Sequence, residues 1–114
     1  MQHVMMLTPG PFAMIATGIK TIELRLNDEK RQKVQIGDTI TFIRTDDSSQ
    51  VLRTTVVKLH YFDDFDQLYQ SLPLEKCGYR EEELETAHPE DMERYYCREQ
   101  QVQYGVVGIE LSVL

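Results

Sequence analysis

Residues 18–26 read "GIKTIELRL". Ile22, Leu24 and Leu26 alternate with Thr21, Glu23 and Arg25, and a period of two marks a strand with one apolar face. The pattern predicts a half-buried strand over 21–26, with the three apolar residues turned to a core and the polar set turned away. Glu23 and Arg25 then share a face, their Cα atoms about 7 Å apart. Gly18 permits a tight exit from a preceding helix, and Lys20 sits where helix gives way to strand. An acid between two bases can aim both at one anion. The same three charges can also form a surface ion pair worth no more than about 1 kcal/mol. The pattern alone leaves both readings open.

Upstream, "HVMMLT" (3–8) is an apolar run that reads as a buried strand. "TPGPFAMIATG" (8–18) then carries proline where a first helical turn accepts it, with Phe12, Ile15 and Ala16 on one face and Gly18 as the stop. Downstream, "NDEKRQKVQIGD" (27–38) is a polar connection closed by the turn signal Gly37-Asp38. "TITFIR" (39–44) reads as a strand and "TDDSSQ" (45–50) as a hairpin loop. "VLRTTVVKLHYF" (51–62) is a long β-branched strand with room for a bulge.

"DDFDQLYQSL" (63–72) has an aspartate cap, Phe65, Leu68 and Leu72 on one face, and Pro73 as its end. "GYREEELETAH" (78–88) reads as a short helix or turn. "HPEDMERYYCREQQ" (88–101) reads as one further helix, started by Pro89, with Met92, Tyr95 and Tyr96 on its apolar side. "YGVVGIELSVL" (104–114) closes the chain as a strand with Val107, Ile109, Leu111 and Val113 inward and Glu110 outward. The order β-α-β-β-β-α-α-α-β predicts a single α+β domain over 1–114. Its expected form is a small β-barrel of about five to six strands with helices packed around it; a ferredoxin-like sandwich is the runner-up.

At 114 residues, with 41% apolar and 27% charged side chains, the chain can bury a core without staples. No apolar run reaches the ~20 residues that span a bilayer, and the N-terminus lacks a signal-peptide pattern. No membrane association is expected, and the cytoplasm is the expected compartment. Cys77 and Cys97 then read as free thiols. His3, His60 and His88 show no ligand spacing, so neither a metal nor another cofactor is expected. The net charge of −7 is uneven, with +2 over residues 1–58 and −9 over 59–114. So acidic a chain has no broad attraction for phosphate, which excludes long duplex DNA as an expected partner. A nucleic-acid or nucleotide ligand must meet a local pocket in the first half. The acidic second half suits a protein partner with a basic surface.

The segment "PFAMIATGIKTIELRLNDEKRQKVQIGDTITF" (11–42) resembles the start of an ASCH domain, a family of the PUA-like superfamily. Its hallmark Gly-x-Lys-x-x-Glu-x-Arg is matched by Gly18, Lys20, Glu23 and Arg25. The likeness continues through Gly37-Asp38 and into "YYCREQQVQYGVVGIEL" (95–111). It implies a PUA-like barrel whose cleft, lined by the motif, holds RNA or a small nucleotide or nucleoside. Lys20, Glu23 and Arg25 are the implied ligand-binding set. Thr21, Arg44 at a strand end and Tyr96 on the last helix are further candidates, Tyr96 because an exposed aromatic can stack on a base.

One branch of that family resembles a metal-independent amidohydrolase of acetylated cytidine, working through a Lys, a Thr and a distal Glu. Lys20 matches the Lys and Glu23 stands in place of the Thr. The distal Glu falls among Glu75, Glu81, Glu82 and Glu83. Other members resemble ribonucleases, where Lys and Arg would stabilise a pentavalent phosphate. In a hydrolase, Lys20 and Glu23 would be the catalytic pair, with Lys20 activating the nucleophile and Glu23 relaying the proton. A carboxylate beside Lys20 favours the ammonium, however, which sets binding ahead of catalysis.

Overall fold

The computed structural model describes residues 1–114. Strand β1 (Gln2–Leu7) turns His3, Met5 and Leu7 inward and leaves Val4 and Met6 exposed. Helix α1 (Pro9–Ala16) starts on the proline and drives Phe12 and Ile15 into the core. Gly18 follows it at φ +82°, the left-handed exit that its lack of a Cβ allows. The chain then runs through β2 (Ile22–Leu26), β3 (Thr39–Arg44), β4 (Asp47–Phe62), α2 (Phe65–Ser71), α3 (Arg98–Tyr104) and β5 (Val106–Val113).

The five strands make one sheet in the order β1-β3-β4-β5-β2. β1 and β3 are parallel and the remaining pairs antiparallel. β1 and β2 are close in sequence yet occupy opposite edges, so the sheet curls into a half-barrel that brings its edges face to face. This is the expected α+β architecture of a small curled barrel with helices packed around it, not a ferredoxin-like sandwich. β4 carries a register shift between Val56 and Lys58, which bends the long strand where a bulge was expected.

Two apolar clusters result. Met5, Leu7, Ile40, Phe42, Val56, Val107, Ile109 and Leu111 fill the concave side together with Phe12 and Ile15. Ile22, Leu24, Leu26 and Val106 pack on the other face against Phe65 and Leu68 of α2 and against Cys77. Each fully buried side chain of this kind contributes about 1.5–3 kcal/mol. Both faces of β2 are therefore covered, and its polar positions do not point to solvent as its periodicity predicts.

Several expectations are corrected. Only Thr45 and Asp46 separate the β3–β4 hairpin, because Arg44 pairs with Asp47 across it and Asp47 accepts from the Ser49 amide at 3.0 Å. The segment 88–101 is not one helix but a 3-10 turn (Pro89–Arg94) and the separate α3. The Gln100 side chain accepts from the Cys97 amide at 3.0 Å and starts the second afresh. Residues 74–86 form two further 3-10 turns: Glu81–Thr86, within the short helix or turn expected over 78–88, and Leu74–Cys77, which was not expected. Val113 is exposed, since β5 runs past the core after Leu111. Tyr95, expected on an apolar side with Met92 and Tyr96, is exposed, and β1 is buried on one face only. Asp64 caps α2 as expected, accepting from the Gln67 amide at 3.0 Å, and Pro73 follows the helix.

Candidate functional site

In the antiparallel pairing of β2 with β5, Glu23 lies opposite Ile109 and Arg25 opposite Val107. Directly opposed residues share a face, and Ile109 and Val107 belong to the concave core. Glu23 and Arg25 therefore occupy interior positions of the half-barrel, at the edge where β2 has no further strand beside it.

The arrangement is a buried ionic triad. Lys20 Nζ is 2.7 Å from Glu23 Oε1, and Arg25 Nη2 is 2.7 Å from Glu23 Oε2. Arg25 also donates through Nε to Oε2 at 2.9 Å. Glu23 is 4% exposed and Lys20 8%, so each charge needs its partner to be tolerated there. Burial alone would raise the Glu23 carboxyl. The charges and hydrogen bonds of Lys20 and Arg25 outweigh it and hold the group below the ordinary carboxylate value. Burial likewise pulls against the Arg25 guanidinium, yet Glu23 and the neighbouring Tyr96 hydroxyl leave it more firmly charged than usual. Two cations against one anion leave the triad one positive charge in excess.

Local backbone chemistry sets Lys20 in place. Its amide donates to the Met14 carbonyl at 3.0 Å, tying it to the end of α1. Its aliphatic stem lies over Gly78, where a Cβ would come within 3.2 Å of Lys20 Cδ. Gly78 also sits at φ +107°, a conformation L side chains rarely adopt. Gly78 thus supports the site twice over. The sequence reading missed it; the signal was a glycine closing the short turn Leu74–Cys77.

The triad lines a cleft of about 540 Å³. The facing edges of β1 and β2 supply Met6, Leu7 and Leu24, and α1 supplies Met14. The opposite wall is a strap over residues 77–96 that contributes Gly78, Tyr79, Glu83, Asp91, Tyr95 and Tyr96. Gln101 ties this strap to the helical layer. It is buried, accepts from the Phe65 amide at 3.3 Å and donates to the Tyr96 carbonyl at 3.1 Å. Tyr96 stacks on Phe65 with ring centres 6.1 Å apart, and Tyr95 is 66% exposed. One ring of the pair is anchored; the other is exposed, with the Arg94 guanidinium carbon 6.0 Å from its centre on one face.

Of the residues singled out in the sequence, Lys20, Glu23, Arg25 and Tyr96 meet in this cleft. Thr21 does not line it; its backbone is bonded to Lys76 and Leu111. Arg44 does not line it either, and its Nε donates to Asp46 at 2.6 Å. Among the four candidate glutamates, Glu83 borders the cleft and Glu75, Glu81 and Glu82 do not. Asp91 was not singled out, because on a polar turn it looks like any helix-start acid. No three His, Cys, Asp or Glu side chains converge as a metal site would require. No helix is long and apolar enough to cross a membrane.

The ASCH domain sequence profile matches residues 5–113. The chain belongs to the ASCH domain family. Among solved structures, this ASCH domain is similar to the hypothetical protein PH0355, at 28% identity and a TM-score of 0.80 with all of both chains covered. It is also similar to protein PF0455 of Pyrococcus furiosus, at 29% identity and a TM-score of 0.73, covering 100% of this chain and 98% of that one. The ASCH protein of Zymomonas mobilis shares the fold at 15% identity and a TM-score of 0.66, over 96% of this chain and 65% of that one. No protein with a curated description matches in sequence.

Proposed function

We propose that this ASCH domain binds a nucleoside, or one base of a short single-stranded RNA, in the cleft between β2 and the strap. The observation that carries this reading is the buried Lys20–Glu23–Arg25 triad, which presents an excess positive charge to a cavity in a chain of net charge −7. Glu23 orients two donors that would otherwise repel each other, and Tyr95 offers an exposed ring for stacking. Each base stacked on an aromatic gains about 1–3 kcal/mol.

Binding without turnover is favoured over hydrolysis by the state of Glu23. Both its oxygens are engaged by cations and its carboxyl is held down, so it is a weak proton acceptor. The test is calorimetric titration with nucleosides, nucleoside monophosphates and a short RNA, alongside chromatography of acylated nucleosides and RNA after incubation. Binding weakened about tenfold or more by Lys20→Ala and untouched by Lys33→Ala, with no product, supports the reading. Product formed by the wild type and lost in Lys20→Ala would replace it with an amidohydrolase or ribonuclease. Absence of any binding would reject it.

A further inference from the structure

The cleft has a second pole that the triad does not explain. Lys20, Arg25 and Arg94 line it, but so do Glu23, Glu83 and Asp91, and the two sets balance. A phosphate chain drawn to Lys20 and Arg25 would meet carboxylates on the strap. A ligand with acceptors on one edge and a donor on the other would satisfy both walls.

Asp91 is held unlike the other acids of the strap. Its Oδ2 accepts from the Tyr79 hydroxyl at 2.8 Å and from the His88 amide at 3.1 Å. Tyr79 spends its one hydroxyl proton on Asp91, so the 2.5 Å contact between Tyr79 and Tyr69 must be donated by Tyr69. The two rings pack edge to face at 5.7 Å. Burial pushes the Tyr69 phenol up to about 12 and moves Tyr79 upward too, so both remain donors. The hydrogen bond from Tyr79 keeps Asp91 below the usual carboxylate range. Its Oδ1 makes no hydrogen bond within the protein. A fixed, ionised carboxylate with one oxygen uncommitted, on a cleft wall, is an acceptor waiting for a donor.

We propose that Asp91 is a specificity residue of the cleft, accepting a hydrogen bond from the amino group of a nucleobase while Lys20 and Arg25 donate to its acceptors. This rests on the nucleoside-binding reading and narrows it to amino-substituted bases. Glu83 is the weaker alternative: its side chain is exposed and is held by the Arg80 amide alone, whereas Asp91 is half-buried and fixed by Tyr79 as well as by the His88 amide. A keto base would set a carbonyl oxygen against the Asp91 carboxylate. Sites built to accept a donor reject analogues that lack it, and a hydrogen bond to a charged group separates ligands by about tenfold to a hundredfold.

The experiment is equilibrium binding of cytidine and adenosine against uridine and inosine, in the wild type, Asp91→Asn, Tyr79→Phe and Lys20→Ala. The wild type is expected to favour the amino-bearing members of each pair by about tenfold or more. Asp91→Asn, whose amide can donate to a carbonyl, should erase or invert that preference. Tyr79→Phe frees the carboxylate to rotate and should reduce it, which keeps the proposal testable if Asp91→Asn folds poorly. Lys20→Ala should weaken all four nucleosides while preserving their ratio. Nucleosides that bind with an amino-to-keto ratio unchanged by both Asp91→Asn and Tyr79→Phe would overturn the role of Asp91 and leave nucleoside binding intact. Failure of the wild type to bind any of the four would overturn both.

Discussion

The Arg25 guanidinium donates through Nη2 to the Met6 carbonyl at 2.9 Å, and the same nitrogen lies 2.7 Å from Glu23 Oε2. Met6 is on one edge of the sheet and Arg25 on the other, and no backbone pairing joins β1 to β2. One side chain thus belongs to the candidate site and also closes the seam of the half-barrel.

Arg25→Lys tests that double role. A lysine keeps the charge but lacks the planar fork that reaches Glu23 and the Met6 carbonyl together. A loss of about 1.5–3 kcal/mol in urea unfolding is expected, with faster hydrogen exchange at the edge amides of β1 and β2. Unchanged exchange at those edges would show that apolar packing alone holds the seam.

The strand that carries these residues was legible in the sequence, and the direction of its faces was legible only in part. Alternation in 21–26 separated Ile22, Leu24 and Leu26 from Glu23 and Arg25, and that separation is real. Periodicity has no way to tell a solvated face from a concave face whose charges are mutually paired, and Glu23 is buried. The strap over 77–96 was the least legible element. The Met92-Tyr95-Tyr96 spacing reads as one helix where the chain makes 3-10 turns, and Gly78, Tyr79 and Asp91 fall outside that repeat. Tyr96 was found because an aromatic stands out on composition alone.

Glu23→Gln removes the anion that two buried cations share. Breaking a buried ion pair from one side costs about 3–5 kcal/mol, and a loss of that order is expected in thermal or urea melts. Glu23→Gln combined with Lys20→Met should recover part of it, because fewer buried charges are left unpaired. A double variant no more stable than Glu23→Gln would show that Lys20 is solvated well enough to stand alone.

The acid limb of stability follows from the carboxylates whose folded values are depressed. Asp38 falls from 3.8 to about 2, first because of its hydrogen bond with His3 at 2.8 Å and then because of the Gln35 amide at 2.9 Å. A group lowered on folding stabilises fully above its unfolded value and loses that contribution as pH falls through its folded value. Asp38 therefore stabilises above about pH 4, and its contribution fades between about pH 4 and pH 2. Glu23 acts in the same direction, its contribution declining below its reference value of 4.5. Urea melts from pH 6 to pH 2 should show a steep decline that is shallower in Asp38→Asn. Parallel curves for the two proteins would remove Asp38 from the account.

Gly78→Ala separates support of the site from the fold at large. The new Cβ lies in a strained conformation at φ +107° and would press on Lys20 Cδ at 3.2 Å. Left-handed strain costs about 1–2 kcal/mol per non-glycine residue, a moderate drop in melting temperature. The displaced ammonium should cost more in function, with nucleoside binding falling about tenfold in calorimetric titration. Tyr95→Ala is the complementary case, because its ring is 66% exposed and carries little of the core. Its stability should change by less than about 0.5 kcal/mol, while loss of a stacking ring should weaken binding by about 1–3 kcal/mol. The two variants together distinguish a cleft set by the Lys20 position from one set by the aromatic wall. Equal binding losses in both would assign the ligand to both walls, and a loss in Gly78→Ala alone would assign it to the Lys20 floor.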